Sequence, residues 1–197
     1  MMVRVRADVA ADKLAGWYHD MPRGEGVLLA CASSATRQRL VACGVPTSGC
    51  VIVRDAIRLG VLERVERPLA RGRLGLSDAH EAVVIMPPVT RAGGVFVGVW
   101  AGLLASHVRP ELRIVVPHGG DELVRVRRLV RDCHHEQIVR YATSQMSTAA
   151  LALAADVAVF VPPRAASVAG LAWALRAARP IVASTVPDTC EVLQGGN

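Results

Sequence analysis

The chain has 197 residues and a formal net charge of +6 at pH 7, and 52% of its residues are hydrophobic. This length accommodates one domain, or one domain with an appendage. Every apolar run is well short of the length of about 18 residues that a membrane-spanning helix needs. The first residues, M-M-V-R-V-R-A-D, lack the continuous apolar segment of a signal peptide. We therefore expect a cytoplasmic protein without a membrane span.

The positive charge comes almost entirely from arginine, since Lys13 is the only lysine. It indicates either a solvated basic surface or attraction for a phosphate-bearing ligand or a nucleic acid. No basic block is interleaved with aromatic residues, so nucleic acid is kept only as a third, minor alternative. The five cysteines are scattered and form no C-x-x-C pair, which indicates buried thiols rather than disulfides.

The first third of the chain carries the weaker patterns. The elements predicted there are a helix around 9–18, a buried strand over 26–32, a helix over 35–43 and a short strand at 51–53. Ser33 and Ser34 precede the second of these helices, and either hydroxyl can cap its N-terminus.

A regular alternation of strands and helices begins at Glu81. The predicted strands are 82–86, 112–116, 137–141, 157–161 and 181–183. The predicted helices are 95–107, one that starts near residue 121, 147–155, one that follows residue 167, and 187–194. Five strands alternating with helices are typical of a doubly wound parallel sheet, so we predict a Rossmann-like α/β fold. The helix over 95–107 is apolar on every side, which predicts that it is well buried.

In such sheets, ligands bind beyond the carboxyl ends of the strands, where this sequence has two glycine turns. Thr90, Arg91, Gly93 and Gly94 belong to the first turn. Backbone N–H groups and the helix dipole favour an anion there, and Arg91 adds a fork-shaped donor. The alternative is a tight strand-to-helix turn that needs glycine for its shape alone. The second turn, which contains Gly119, has the same two interpretations.

Other chemically interesting residues give weaker signals. Ser167 precedes a predicted helix and can either cap it or contact a ligand phosphate. The run C-H-H-E at 133–136 does not predict a metal site, because consecutive side chains point in different directions. Trp100 and Trp173 lie in apolar helical stretches, where packing is expected rather than sugar stacking. The pattern predicts no catalytic residue, no metal and no cofactor.

Four segments of the sequence resemble the donor-binding lobe of group 1 glycosyltransferases, the retaining enzymes of the GT-B fold. They are T-R-Q-R-L-V-A-C-G-V-P with the following V-I-V-R-D-A, the basic stretch and strand at 71–87, the glycine turn and helix at 90–105, and 156–184, which ends in A-R-P-I-V-A-S. The resemblance implies a donor-binding lobe over residues 33–197. It makes residues 1–32 an N-terminal appendage, the remnant of a preceding lobe.

The activity that this resemblance implies is transfer of a sugar from a nucleoside-diphosphate donor to an acceptor hydroxyl, with retention. Glu191 stands where the family often has a glutamate after the last of these strands. The candidates for contacts with the donor or its phosphates are Thr90, Arg91, Gly93, Gly94, Gly119, Ser167 and Glu191.

The sequence departs from the family at positions that are usually charged. Two glutamates normally flank the signature helix, and those positions hold Ala165 and Trp173 here. The Arg and Lys that the family offers to the diphosphate are replaced by Pro88 and Gly93, so Arg91 is the cation that this loop retains. An acceptor lobe normally precedes the donor lobe, which implies a partner chain or a second copy to supply it.

Two functional hypotheses follow. The first is a glycosyltransferase-like protein, of the retaining hexosyltransferase type or descended from it, that binds a nucleoside-diphosphate sugar. The second is a catalytically inactive module that binds a nucleotide sugar or another protein and keeps only the Rossmann-like fold. The missing acids favour the second hypothesis, and the order of the family segments favours the first.

Overall fold

The structure is a computed structural model that describes residues 2–5, 11–21, 26–164 and 167–194, apart from the side chains of Arg4 and Leu59. The chain divides into two compact units. The first unit comprises Met1–Ala56, Arg164–Val168 and Thr185–Asn197, and the second comprises Ile57–Pro163 and Ala169–Ser184. The boundary expected after residue 32 stays a prediction.

The helices and strands follow one another in an α/β order, with short 3-10 turns at Thr47–Gly49 and Leu59–Arg64. The elements are β1 (Met2–Arg4), α1 (Ala11–His19), β2 (Leu28–Cys31), α2 (Ser34–Ala42), β3 (Cys50–Ile52), α3 (Arg67–Arg73), β4 (Glu81–Ile85), α4 (Val95–Ser106), β5 (Leu112–Val116), α5 (Leu123–Asp132), β6 (Val139–Tyr141), α6 (Thr148–Ala154), β7 (Val157–Phe160), α7 (Ala169–Arg176), β8 (Ile181–Ala183) and α8 (Pro187–Gln194).

The first unit contains a three-stranded parallel sheet in the order β1-β2-β3. Strand β2 lies in the middle, where Leu29 and Cys31 are fully buried and Leu40 of α2 packs in the same core. Helix α2 is capped as expected, since the Ser33 hydroxyl accepts a hydrogen bond of 3.0 Å from the N–H of Thr36. Strand β1 was not among the predicted elements.

All five cysteines are free thiols. Cys31 and Cys50 lie on the adjacent strands β2 and β3 and are buried, as expected. Burial, together with the neighbouring Cys50, raises the pKa of the Cys31 thiol to about 11, so this thiol stays protonated at neutral pH. Cys43 is exposed, which corrects the expectation of a buried thiol at that position.

The second unit contains a five-stranded parallel sheet in the order β6-β5-β4-β7-β8. Strand β4 is central, with Val84 opposite Val115 of β5 and Ile85 opposite Val159 of β7. Its apolar residues are covered on both faces, as in other parallel sheets flanked by helices. The structure confirms the predicted doubly wound α/β architecture, and the strand expected at 112–116 coincides with β5.

Helices cover both faces of this sheet. A β-carbon built on Gly98 of α4 would lie 3.0 Å from Ile85, and one on Gly170 of α7 would lie 3.4 Å from Met86. Adjacent residues of a strand point to opposite faces. Helices α4 and α7 therefore lie on opposite sides of β4, and the small glycines let each helix approach the sheet closely.

Helix α4 is buried on one face only. Val95, Val99 and Leu103 face the sheet and are at most 3% exposed. Trp100 and Leu104, on the outer face, are 47% and 56% exposed. This corrects the expectation of a well-buried helix, because no described element of the second unit covers the outer face.

A buried arginine ties α3 to the sheet and to α6. Arg71 is 4% exposed, and its guanidinium donates to the Asp156 carboxylate at 2.8 Å and to the carbonyls of Ala154, Ser77 and His80 at 2.6–3.1 Å. Burial raises the pKa of Asp156, but the Ala82 N–H and the arginines outweigh burial and hold the pKa below its usual value. Asp156 therefore carries its charge in the fold.

Candidate functional site

The chain reverses its direction of travel across the sheet at β4. It proceeds from β4 through α4 to β5 on one side, whereas β7 pairs with β4 on the other side. In open α/β sheets, the crevice at such a switch point lies beyond the carboxyl ends of the strands and is the usual ligand site. Here it is bordered by the loop from Pro87 to Gly94 and by the residues that follow β7.

The loop after β4 is closed by its own hydrogen bonds. The N–H of Gly93 lies 3.0 Å from both the carbonyl and the hydroxyl oxygen of Thr90, and the N–H of Gly94 donates to the Arg91 carbonyl at 3.3 Å. The two N–H groups predicted to bind phosphate thus already have acceptors within the turn. Thr90 acts here as the residue that closes the turn.

Helix α4 offers the next donors along the chain. Its first helical bond joins the N–H of Gly98 to the carbonyl of Gly94 at 3.0 Å. The N–H groups of Val95, Phe96 and Val97 precede that bond and have no acceptor within the helix. Together with the helix dipole they form the positive end of α4, which favours an anion.

Both glycines of the first turn are required by the packing. A β-carbon at Gly93 would lie 2.0 Å from the carbonyl oxygen of Pro88, and one at Gly94 would lie 1.9 Å from that of Val161. Gly94 also has a φ of +72°, a conformation that favours glycine. The tight-turn interpretation therefore accounts for both glycines, so they do not by themselves argue for a ligand.

The second glycine turn lies beside the first. Gly119 and Gly120 have φ of +83° and +90°, and a β-carbon at Gly120 would lie 1.8 Å from the carbonyl oxygen of Val89. Gly119 has open space where its side chain would be. The structure thus brings the loops after β4 and β5 together at the carboxyl edge of the sheet.

Arg91 provides a positive charge at the carboxyl edge of the sheet. Its side chain is exposed, and its guanidinium forms no hydrogen bond or ion pair with any residue that the structure describes. Pro88 and Gly93, which the sequence resemblance aligns with the family's cations, pack against each other through the backbone. The groups at this edge that can attract an anion are therefore Arg91 and the positive end of α4.

Two other predicted site residues, Ser167 and Glu191, belong to the first unit. The Ser167 hydroxyl donates to the Asp55 carboxylate at 3.0 Å. Glu191 accepts from the N–H and the hydroxyl of Ser34 at 2.8 and 3.0 Å, and from Arg54 at 2.7 Å. Glu191 therefore caps the N-terminus of α2 in this structure.

A second carboxylate, Asp188, was missed at the sequence level. It is 2% exposed, accepts from the hydroxyls of Ser33 and Thr36, and forms an ion pair of 3.6 Å with Arg39. Its spacing of three residues from Glu191 places both acids on one side of α8. That spacing indicates that the two acids face the same neighbour, but it does not identify the neighbour as α2.

The charge of Glu191 is stabilised by its partners. Burial raises the pKa of Glu191, but the Ser34 hydrogen bonds and the Arg54 charge outweigh burial and hold the pKa below its ordinary value. A carboxyl whose pKa is lowered on folding stabilises the fold above its ordinary pKa. That contribution disappears as the pH falls through the lowered value.

We expect Glu191→Gln to lower the free energy of unfolding by about 1 kcal/mol at pH 7, because a neutral amide accepts more weakly from the N-terminus of α2. The difference in stability between the variant and the unchanged protein is expected to shrink as the pH falls below the ordinary glutamate pKa and through the lowered pKa of Glu191. Urea unfolding at a series of pH values from 7 downward measures the difference, with the exposed Glu136→Gln as the matched control. A difference that stays constant with pH would contradict the assigned charge.

Two further candidates, Trp173 and Ala165, replace acids of the resembled family. Trp173 is half-buried in α7, and Ala165 lies outside the described residues. Within the described ranges, no group of three or more His, Cys, Asp or Glu side chains is arranged to hold a metal ion. None of the helices there is long and apolar enough to cross a membrane.

Solved structures share this architecture over nearly the whole chain. WaaG, a glycosyltransferase involved in lipopolysaccharide biosynthesis, superposes with a TM-score of 0.78 at 14% identity, over 98% of this chain and 59% of its own. HepE of Anabaena, in complex with UDP and glucose, gives 0.74 at 13% identity, over 97% and 54%. The chain has the fold of the GT-B glycosyltransferases. A glycosyltransferase from Rickettsia africae ESF-5 gives 0.73 at 11% identity, over 100% and 54%.

These likenesses confirm the predicted fold class and its GT-B architecture. The chain spans 54–59% of the length of these three structures. No protein-family model matches the sequence, and no curated protein matches it either. At 11–14% identity the likeness is one of fold, and the residues of the site carry the functional argument.

Proposed function

We propose that the second unit of this GT-B-like chain binds the diphosphate of a nucleoside-diphosphate sugar at the N-terminus of α4. The observation that carries the proposal is Arg91, an exposed guanidinium without a partner among the described residues, at the carboxyl end of the central strand. A diphosphate matches both the fork of the guanidinium and the N–H groups at the start of α4. HepE, which has the same fold, is a UDP complex, and this supports the choice of ligand.

The hydrogen-bond donors that we propose for the diphosphate differ from those expected from the sequence. Arg91 remains the principal contact, but the N–H groups of Val95, Phe96 and Val97 replace those of Gly93 and Gly94, whose hydrogen bonds close the turn. Gly119 keeps the neighbouring loop small and leaves open space beside it. Contacts of Ser167 and Glu191 with the sugar donor remain predictions. A ligand would have to displace Asp55 from Ser167 and Ser34 from Glu191.

The reaction for which we propose this binding site is sugar transfer. The bond between the anomeric carbon and the diphosphate oxygen breaks, an acceptor hydroxyl forms the new bond and loses its proton, and the diphosphate leaves. Arg91 would orient the donor and stabilise the charge on the departing diphosphate. A partner chain or a second copy that supplies the acceptor surface, and a cytoplasmic location, remain predictions.

A second candidate function is binding without transfer. Trp173 supports it, because a family acid is replaced there by a half-buried, uncharged side chain. Incubation with a panel of radiolabelled nucleotide sugars and acceptors separates the two candidates. Labelled product supports transfer, whereas donor binding with neither transfer nor hydrolysis supports the binding module.

Calorimetric titration with UDP and GDP tests the binding site itself. We expect Arg91→Ala to weaken diphosphate binding about tenfold to a hundredfold, because a charge-assisted hydrogen bond is lost. Arg73→Ala, an exposed arginine on α3, removes the same charge elsewhere and is expected to leave binding within about twofold. Absence of binding to both diphosphates by the folded protein, or equal losses in the two variants, would contradict the proposal.

A further inference from the structure

The outer face of α4 is apolar along its whole length. Val97, Trp100 and Leu104 are 55%, 47% and 56% exposed, and Val108, just beyond the helix, is 79% exposed. These residues recur at intervals of three or four, so they form one stripe on the side opposite to the buried face. From Val97 to Leu104 the stripe runs about 10 Å along the helix. We call it the α4 stripe.

No charged residue interrupts the α4 stripe. The run from Val95 to Val108, V-F-V-G-V-W-A-G-L-L-A-S-H-V, contains no Asp, Glu, Lys or Arg. Scattered exposed apolar side chains are common on protein surfaces, but a contiguous stripe with a central tryptophan marks an interaction surface. The proposed donor site uses the N-terminal end of α4 and leaves this outer side unexplained.

The neighbouring helix α5 supplies positive charge beside the stripe. Helices α4 and α5 pack against each other, and the Arg125 guanidinium lies 4.1 Å above the ring of Phe96. Arg128 and Arg131 are exposed on α5, opposite its buried residues Val126 and Val130. The outer surfaces of the two helices therefore combine an apolar stripe with a row of arginines.

Asp121, which precedes α5, is exposed. Two other acidic residues of this surface pair with arginines. Glu122 lies 3.4 Å from Arg125, and Asp132 lies 3.6 Å from Arg128. The Arg131 guanidinium forms no hydrogen bond or ion pair with the residues that the structure describes. This surface therefore presents more cationic than anionic groups to an approaching partner, in line with the net charge of +6 of the whole chain.

We propose that α4 and α5 form a surface that docks onto an anionic phospholipid bilayer. Aliphatic side chains and a tryptophan suit the boundary between headgroups and acyl chains, and arginines suit the phosphates of the headgroups. A second copy fits this surface less well, because a twofold contact sets a face against itself and would oppose one arginine-rich surface with another. The proposal does not rest on the proposed donor site.

Co-sedimentation with lipid vesicles tests this surface. We expect the full chain to pellet with vesicles of equal parts phosphatidylglycerol and phosphatidylcholine, and to stay in the supernatant with phosphatidylcholine alone. Leu104→Ser is expected to weaken binding about tenfold, since it removes buried methylene and methyl groups from the bilayer boundary. The matched control is Leu69→Ser on α3, where Leu69 is 55% exposed, and it is expected to leave binding unchanged.

The arginines are tested in the same assay. We expect Arg128→Gln with Arg131→Gln to weaken vesicle binding about tenfold or more, given about fivefold per cation near an anionic surface. Arg73→Gln serves as the control. No binding to anionic vesicles, equal effects of Leu104→Ser and Leu69→Ser, or equal binding to both vesicle types would overturn the proposal.

Sedimentation velocity tests whether a second copy of the chain, rather than a bilayer, covers the α4 stripe. If the chain self-associates, fails to bind vesicles and becomes monomeric on Leu104→Ser, the α4 stripe is an interface between copies and the lipid proposal is wrong. Because Leu104 is exposed, this change is expected to leave folding intact, which circular dichroism verifies for each variant.

Discussion

Replacing Arg71 with methionine is expected to lower the free energy of unfolding by about 2–4 kcal/mol, because buried carbonyl groups that lose their donor cost about 1–3 kcal/mol each. The Arg71 guanidinium satisfies one Asp156 oxygen and three backbone carbonyls, and it is almost fully buried. Methionine fills a similar volume but donates no hydrogen bond. Asp156 would keep Arg67 as its remaining cationic partner, while the carbonyls would lose their donor.

Urea unfolding followed by circular dichroism measures this loss. Arg73→Met, two residues further along α3, removes an exposed arginine and is expected to change stability by less than about 0.5 kcal/mol. Arg71→Lys keeps the charge but not the planar fork, so an intermediate loss is expected. A loss below about 1 kcal/mol for Arg71→Met would show that the contacts around Asp156 do not anchor α3.

The strands of the second unit could be predicted because their apolar runs end at strong signals. The strand at 82–86 is followed by two prolines, and the run at 112–116 lies between a proline-ended segment and a glycine turn. The burial of α4 could not be predicted in the same way. When every side of a helix is apolar, periodicity does not identify the covered face, and the neighbouring elements decide it.

Only part of the candidate site could be predicted from the sequence. Gly94 and Gly119 were identified as turn residues, and both have a positive φ. That the N–H groups of Gly93 and Gly94 are used within the turn depends on its three-dimensional closure by Thr90 and Arg91. The partner of Glu191, Ser34, lies 157 residues away in the chain, and no local pattern encodes such a contact.

Gly94→Ala is expected to destabilise the second unit by about 2–5 kcal/mol, from two separable causes. A left-handed backbone costs a residue with a side chain about 1–2 kcal/mol. The new methyl group would also lie 1.9 Å from the Val161 carbonyl oxygen, and relieving that overlap requires a backbone shift that costs about 1–3 kcal/mol more. The shift would move the N-terminus of α4, so weaker UDP binding is expected as well.

Gly119→Ala separates these two causes. Gly119 has a similar φ of +83°, but nothing lies within 4 Å of the position where its β-carbon would stand. We therefore expect only the conformational cost of about 1–2 kcal/mol, with α4 undisturbed. Thermal and urea unfolding of the two variants, measured side by side, give the difference. Equal losses would mean that the contact between Gly94 and the Val161 carbonyl does not hold the N-terminus of α4 in place. The proposed diphosphate site would then lack a fixed geometry.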